Sequence, residues 1–312
     1  LGLLGAANAT YGFLRETRDR QHLKSLFGQY VPPQIVEEMN RSPGETFGFE
    51  GESREMTVLF ADIRSFTTIS ESLAADELKR MLNFFFTPMT GIIFNNRGTI
   101  DKYVGDMIMA FWGAPLHDPQ HARHALISAM AMREAVDEMQ DALAQRGWPP
   151  IAIGVGLNSG LMNVGDMGSE FRRAYTVLGD AVNLGSRLEG LTKFYGVSLC
   201  VSESTRAGVP DYAFRLLDRV RVKGKQEAIS IYEPVGPAGS LAPEQERELQ
   251  AHEDAMARYF AGDWEGAVAG FRALQDAFPQ RSLYALYVER IGVLQAQDIP
   301  LPWDGVFTHT SK

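Results

Sequence analysis

The sequence has a single cysteine, Cys200, in 312 residues. That excludes a disulfide framework within the chain and a cysteine-rich zinc site. Its place in the apolar run from Gly196 to Ser202 reads as a buried thiol rather than a nucleophile, in a reducing, cytoplasmic setting. Positive charge is also in short supply: 30 Lys and Arg stand against 39 Asp and Glu, a net charge of −9. Such a balance argues against a surface that coats nucleic acid, while leaving room for a local phosphate pocket and a small partner. Long apolar runs are missing as well. The opening stretch Leu1 to Leu14 is shorter than the roughly 20 residues that cross a bilayer. It reads as the end of a possible transmembrane helix, because Arg15, Arg18, Arg20 and Lys24 follow it as the positive flank expected on the cytoplasmic side.

What is present is an ordinary globular composition, 45% hydrophobic, enough for one or two domains with sizeable cores. From Glu16 to Met39 the pattern is helical and is broken at Val31-Pro32-Pro33, as a connector would be. Arg41 to Arg54 is polar and glycine-rich and reads as a loop. The elements then alternate: a strand from Met56 to Asp62, a helix over about Ala74 to Asn95, a hairpin from Thr99 to Trp112, a helix over about Pro119 to Arg146, and a strand from Ile151 to Leu157. This order predicts an α+β fold with a ferredoxin-like βαββαβ core, helices packed on one face of an antiparallel sheet. Asn158 to Tyr175 reads as an extended hairpin or tongue, and Gly179 to Tyr195 as a helix. Short strands are expected near Ser198 to Val201, Ala213 to Asp218, Arg219 to Val222 and Ile229 to Tyr232. Past Pro237 the chain turns helical. The small and aromatic residues between Tyr259 and Phe271 are spaced as in one tetratricopeptide unit, which cannot bury its own face. A helical appendage packed on the main domain or on a second subunit is therefore expected, closed by an aromatic clasp from Leu301 to Phe307. The divisions that follow are 1–14, 15–50, 51–236 and 237–312.

The chemistry gathers at two aspartates. Asp62 ends an apolar strand, and Asp106 is placed at the tip of the hairpin Lys102-Tyr103-Val104-Gly105-Asp106-Met107, where a carboxylate is expected to be displayed rather than buried. Two strand-end carboxylates in one sheet suit a hard cation that takes its remaining ligands from water and phosphates; solvated turn residues are the plain alternative. Ser65-Phe66-Thr67-Thr68 can open a helix whose first amides cradle a phosphate tail. Asn183 and Arg187 lie one helical turn apart, on one face, a pairing suited to phosphoryl oxygens but also common on surfaces. Lys223 and Lys225 add a weaker phosphate signal. His117, His121 and His124 fit a zinc site poorly, since Pro119 disturbs their spacing. Met107, Met109 and Phe111 alternate as strand core, and Phe84-Phe85-Phe86 reads as packing on the sheet.

Four ordered motifs carry a resemblance: Phe60-Ala61-Asp62-Ile63-Arg64-Ser65-Phe66-Thr67, Lys102-Tyr103-Val104-Gly105-Asp106, Asn158-Ser159-Gly160 with Val164-Gly165-Asp166-Met167-Gly168-Ser169, and Tyr175 to Asn183 continuing through Arg187-Leu188-Glu189. Over about Glu55 to Val235 the chain resembles the catalytic domain of class III nucleotidyl cyclases. Phe27 to Pro33 looks like the coupling helix of bacterial receptor-type members, and the tail like that of members with a CHASE2-type sensor. The resemblance implies an adenylate cyclase acting on ATP. Asp62, Asp106 and the Ile63 carbonyl would bind two Mg²⁺ or Mn²⁺ ions, and Phe66 and Thr67 would meet the phosphates through their amides. Lys102 and Thr176 would select the purine, where guanylate cyclases usually carry glutamate and cysteine. Asn183 would orient the ribose, Arg187 would stabilise the α-phosphate, and Lys223 would hold the phosphate tail. It further implies a head-to-tail homodimer with composite sites, as the cytoplasmic output of a cell-membrane protein whose sensor region precedes this chain. A guanylate or relaxed-specificity cyclase and a non-catalytic nucleotide-sensing module are the alternatives.

Overall fold

The structure, a computed structural model of the chain, describes residues 31–32, 35–38, 51–169, 172–221, 227–296 and 303–309. The Leu1 to Leu14 stretch, most of the Glu16 to Met39 connector, residues 41–50 of the expected loop, and Lys223 and Lys225 lie outside the described residues. Strand β1 (Glu52–Ile63) is buried without a break from Met56 to Ala61. A strand that is apolar on both sides needs cover on both, and this one has it.

After β1 come α1 (Phe66–Ser72), α2 (Ala75–Asn95), β2 (Thr99–Val104), β3 (Met107–Trp112), α3 (His121–Glu138), α4 (Gln140–Gln145) and β4 (Ile153–Ser169). The sheet order opens β2-β3-β1-β4, with each of these neighbours antiparallel. That is the expected βαββαβ core. Helices α2 and α3 cover one face, where Phe85 and Met89 of the first and Leu126 and Met132 of the second pack with Leu59 and Ala61. The other face is covered by α5 (Asp180–Tyr195), which approaches Val58 and Phe60 closely enough that a Cβ on Gly185 would stand 2.7 Å from Val58.

Beyond the core, β4 pairs with β5 (Arg172–Leu178) to form the tongue. β6 (Leu199–Ser202) joins β4 in parallel, α6 (Glu203–Ala207) follows, and the sheet continues through β8 (Ile229–Pro237) and β7 (Tyr212–Arg221) to a short β9 (Val306–Thr308). Several boundaries differ from the sequence expectation. β1 begins at Glu52, inside the loop expected over Arg41 to Arg54, because its first residues pair with β4, and β8 runs past Tyr232 to Pro237 along β7. The helix placed at Pro119 starts at His121 and divides at Met139. The two strands expected over Ala213 to Val222 are one, because a bulge between Leu216 and Asp218 interrupts the alternation without ending the strand. The strand expected to stop at Leu157 runs on to Ser169, since its polar half pairs with β1 and then with β5.

Helices α7 (Pro243–Ala261), α8 (Trp264–Ala277) and α9 (Ser282–Ala296) pack on the main domain of the same chain. Tyr259, Phe271 and Tyr287 share a core with Leu184 and Leu188 of α5. A buried ion pair ties the two layers: Arg290 donates to Asp218 at 2.5 Å, and the Tyr195 hydroxyl donates to the same oxygen at 2.7 Å. Trp303 of the aromatic clasp stands edge-on to Tyr259, centroids 4.7 Å apart. Cys200 is fully buried, and burial pushes its thiol up.

Candidate active site

The carboxylate pair is built by the end of β1 and the β2–β3 turn. Ala61 registers with Ile108 across the β1–β3 ladder, which brings Asp62 beside the turn, and Gly105 makes that turn with φ +64°. Asp106 is not displayed as the hairpin reading expected; it is 8% exposed. The Ile63 N–H donates to its Oδ2 at 3.0 Å, drawing the carboxyl inward over the strand end. Burial first, and the Asp62 carboxylate beside it second, push Asp106 up to about 7. Asp62 is half-buried, and its Oδ1 is shielded from solvent with no hydrogen-bond partner among the described residues. Two crowded carboxylates with an orphaned oxygen fit a divalent cation, whose charge would relieve both problems. Among the described residues no cluster of three or more ligating side chains exists, so further oxygens would come from water and phosphate.

Immediately downstream, Ser65 sits in the left-handed region at φ 55°, and α1 opens at Phe66 and Thr67 with no capping side chain among the described residues. Phe66 packs against the core and Thr67 is exposed. Sequence reasoning missed two neighbours here. Arg64 reaches under the sheet to donate to the Val197 carbonyl at 2.8 Å. Glu189 of α5 is pushed up to about 7, by burial and then by Asp62. A glutamate in a helix reads as a solvated face, so only contact with the strand end reveals it.

Lys102 and Thr176, 74 residues apart, meet across β2 and β5 with Nζ 3.5 Å from Oγ1. Beneath them lies a third residue that the sequence did not single out. Asp101 accepts from the Thr176 hydroxyl at 2.6 Å and lies 3.0 Å from the Lys102 ammonium.

Asn183 and Arg187 ride on α5, the first exposed and the second half-buried with a guanidinium nitrogen that has no partner among the described residues. The start of the helix is tied to β4, where Asn158 donates to the Ala181 carbonyl at 2.7 Å. Lys223 lies outside the described residues. Of the histidines, His121 bonds Thr57 at 2.7 Å and His124 bonds Asp118 at 2.7 Å, each occupied with its own partner.

The family model of the adenylate and guanylate cyclase catalytic domain matches residues 50–232. Adenylate cyclase 1 of Rhizobium meliloti (strain 1021) is 37% identical over 211 residues, 67% of this chain and 32% of that protein. The adenylate cyclase of Anabaena cylindrica is 37% identical over 238 residues, 73% of this chain and 45% of its own. This chain therefore spans less than half the length of either curated relative. Among solved structures, the adenylyl cyclase CyaB from P. aeruginosa matches with a TM-score of 0.56 at 33% identity, over 62% of this chain and 99% of that one. The guanylyl cyclase Cya2 matches with a TM-score of 0.54 at 31% identity, over 60% and 94%. Both an adenylyl and a guanylyl cyclase thus share this fold.

Proposed function

We propose, from the premise that this chain belongs to the adenylate and guanylate cyclase catalytic-domain family, that it converts ATP to 3′,5′-cyclic AMP and pyrophosphate. The observation that carries the purine choice is the meeting of Lys102 and Thr176. An ammonium donates to adenine N1, and a hydroxyl oxygen accepts from the 6-amino group. Guanine presents the opposite polarity at both atoms. A guanylate cyclase reading draws on the likeness to Cya2, and Lys102 with Thr176 weighs against it.

In the reaction the ribose 3′-oxygen attacks the α-phosphorus in line. The 3′-O–P bond forms, the bond from the α-phosphorus to the bridging oxygen breaks, pyrophosphate leaves with that electron pair, and the hydroxyl proton passes to solvent. Asp62 and Asp106, with the Ile63 carbonyl, would hold two Mg²⁺ or Mn²⁺ ions. Bound there, the ions supply a more acidic 3′-hydroxyl and countercharge for the triphosphate. Asn183 orients the ribose. Arg187 meets the α-phosphate as negative charge grows in the transition state. The amides of Phe66 and Thr67, with Lys223, hold the phosphate tail.

Two copies would share the work head to tail, the aspartates of one facing Lys102, Thr176, Asn183, Arg187 and Lys223 of the other, with two equivalent sites. Support comes from Tyr103, Val104, Leu161 and Leu178, which stand 43%, 54%, 60% and 55% exposed on β2, β4 and β5 beside the purine pair. Exposed apolar side chains at these positions are what a contact surface there would cover. The division into a catalytic region at 51–236 and a helical appendage at 237–312 belongs to the same proposal. So does a place beneath a membrane sensor of the CHASE2 kind, which rests on the sequence of the flanks alone. Among the described residues no helix is long and apolar enough to cross a membrane.

The test is turnover of ATP and GTP by the full chain with Mn²⁺. Cyclic AMP is expected, and Asp62→Ala should lower its formation by at least about a thousandfold while the circular dichroism spectrum is unchanged. Preference for GTP would overturn the purine assignment. Undiminished turnover in Asp62→Ala would overturn the cyclase reading.

A further inference from the structure

The cyclase reading leaves open why a hydroxyl, which can donate as readily as it accepts, should discriminate between a 6-amino and a 6-oxo purine. Asp101 answers this. Resting on that reading, we propose that Asp101 is the positioning residue that sets purine choice, by holding the Thr176 hydroxyl hydrogen away from the base so that only lone pairs face the 6-position.

Asp101 is 4% exposed, a carboxylate in the body of a sheet. It can share a side with Lys102 because β2 is irregular there: Ile100 registers with Ala110 and Lys102 with Met109, leaving Asp101 as the extra residue. In a regular strand consecutive side chains point to opposite faces, and a bulge re-aims them. The two carboxylate oxygens differ, Oδ2 accepting hydrogen bonds and Oδ1 held by an ion pair alone. Oδ2 accepts from the Thr176 hydroxyl at 2.6 Å and from the Val177 N–H at 3.3 Å, while Oδ1 stands 3.0 Å from the Lys102 ammonium.

The polarity follows from the donor and acceptor inventory. A carboxylate paired to an ammonium can only accept, so the single hydroxyl hydrogen of Thr176 points at Asp101. What remains for a ligand is acceptor capacity. Adenine offers a donor at that position, and the 6-oxo group of guanine or hypoxanthine offers a second acceptor, which is repelled. The same carboxylate holds the Lys102 ammonium beside the pocket, so one buried group prepares both contacts that read the purine. Sites built with fixed hydrogen-bond polarity discriminate far more strongly than sites that can rotate to suit either ligand.

The experiment compares kcat/KM of the full chain for ATP, GTP and inosine triphosphate, the last isolating the 6-oxo group from the 2-amino group. In the wild type ATP is expected to lead. Asp101→Ala frees the Thr176 rotor and should lower the ATP-to-inosine-triphosphate ratio by at least about tenfold, the loss arising more from a gain on the 6-oxo substrate than from a general fall. Asp101→Ser, itself able to donate or accept, should move the ratio the same way and serves if the alanine variant does not fold. Asp101→Asn keeps an oxygen for Thr176 and Val177 and should hold the ratio within about threefold. A merely structural role would lower all substrates together and leave the ratio alone. The inference is overturned if alanine and serine variants keep the wild-type ratio, or if asparagine shifts it as far as alanine. A wild type that prefers GTP or forms no cyclic nucleotide overturns instead the reading on which the inference rests.

Discussion

At the scale of single residues, the proposed cation site makes Asp106 the place where pH, cation and fold would be coupled. Its carboxyl is pushed up to about 7, chiefly by burial and then by Asp62. The folded state therefore holds a proton that the unfolded chain, titrating near 4, has released. The stability this gives is fully present below pH 4 and is lost as pH rises through 7. The proposed cation binding should run the other way, tightening over the same window as the proton leaves. Asp106→Asn should accordingly raise the melting temperature at pH 8 without divalent cations by about 2 °C or more, while Mn²⁺ no longer stabilises the variant and cyclic AMP formation is lost. A melting temperature at pH 8 below that of the wild type would refute the account. Asp62, Asp106, Lys102 and Thr176 could be named from the sequence because they stand in ordered motifs whose pattern gives each a role. Arg64 and Glu189 stand in the same motifs and Asp101 just before one, yet none of the three could be given a role. Each meets groups brought near only by the fold, and nothing in their local pattern separates a buried polar residue from a solvated one.

At the scale of elements, the roles proposed for Asn183 and Arg187 rest on how closely α5 lies on β4. A Cβ at Gly156 would stand 2.2 Å from the Glu189 backbone nitrogen and 2.5 Å from the Gly185 carbonyl oxygen, backbone atoms that cannot step aside. Gly156→Ala should push the helix off the sheet, costing about 3 kcal/mol in chemical denaturation and about a hundredfold in turnover as Asn183 and Arg187 are displaced. If turnover survives while stability falls, the position of α5 is not what places those side chains. The existence of α5 could be read from the sequence through its apolar period. Its contact with β4 could not, since a glycine in a strand looks the same whether a helix or water lies above it. The same limit hid the continuity of β7, whose bulge at Leu217 resembles a strand ending.

At the scale of the whole molecule, the proposed homodimer makes a quantitative claim. Asp106→Ala and Asn183→Ala should each be inactive alone. Mixed in equal amounts and allowed to exchange, half the dimers would pair one variant with the other and hold one intact site of two, so about a quarter of wild-type turnover should return. No recovery after demonstrated exchange would refute composite sites. The topology of the core was legible because its elements alternate cleanly. The seat of the helical appendage was not, for it depends on Arg290 finding Asp218 and Tyr195 from a distant part of the chain.

The last strand, β9, runs alongside β7 at the margin of the sheet, Val306 to Thr308 against Arg219 to Arg221. An open margin is a template on which a neighbouring polypeptide can nucleate a ribbon without end. Here the margin beside Arg219 to Arg221 falls to a strand of three residues, which leaves a neighbouring backbone little to pair with. Crowded molecules are thereby steered from fusing backbone to backbone along that flank, and their encounters are left to side-chain surfaces, where partners can join and part.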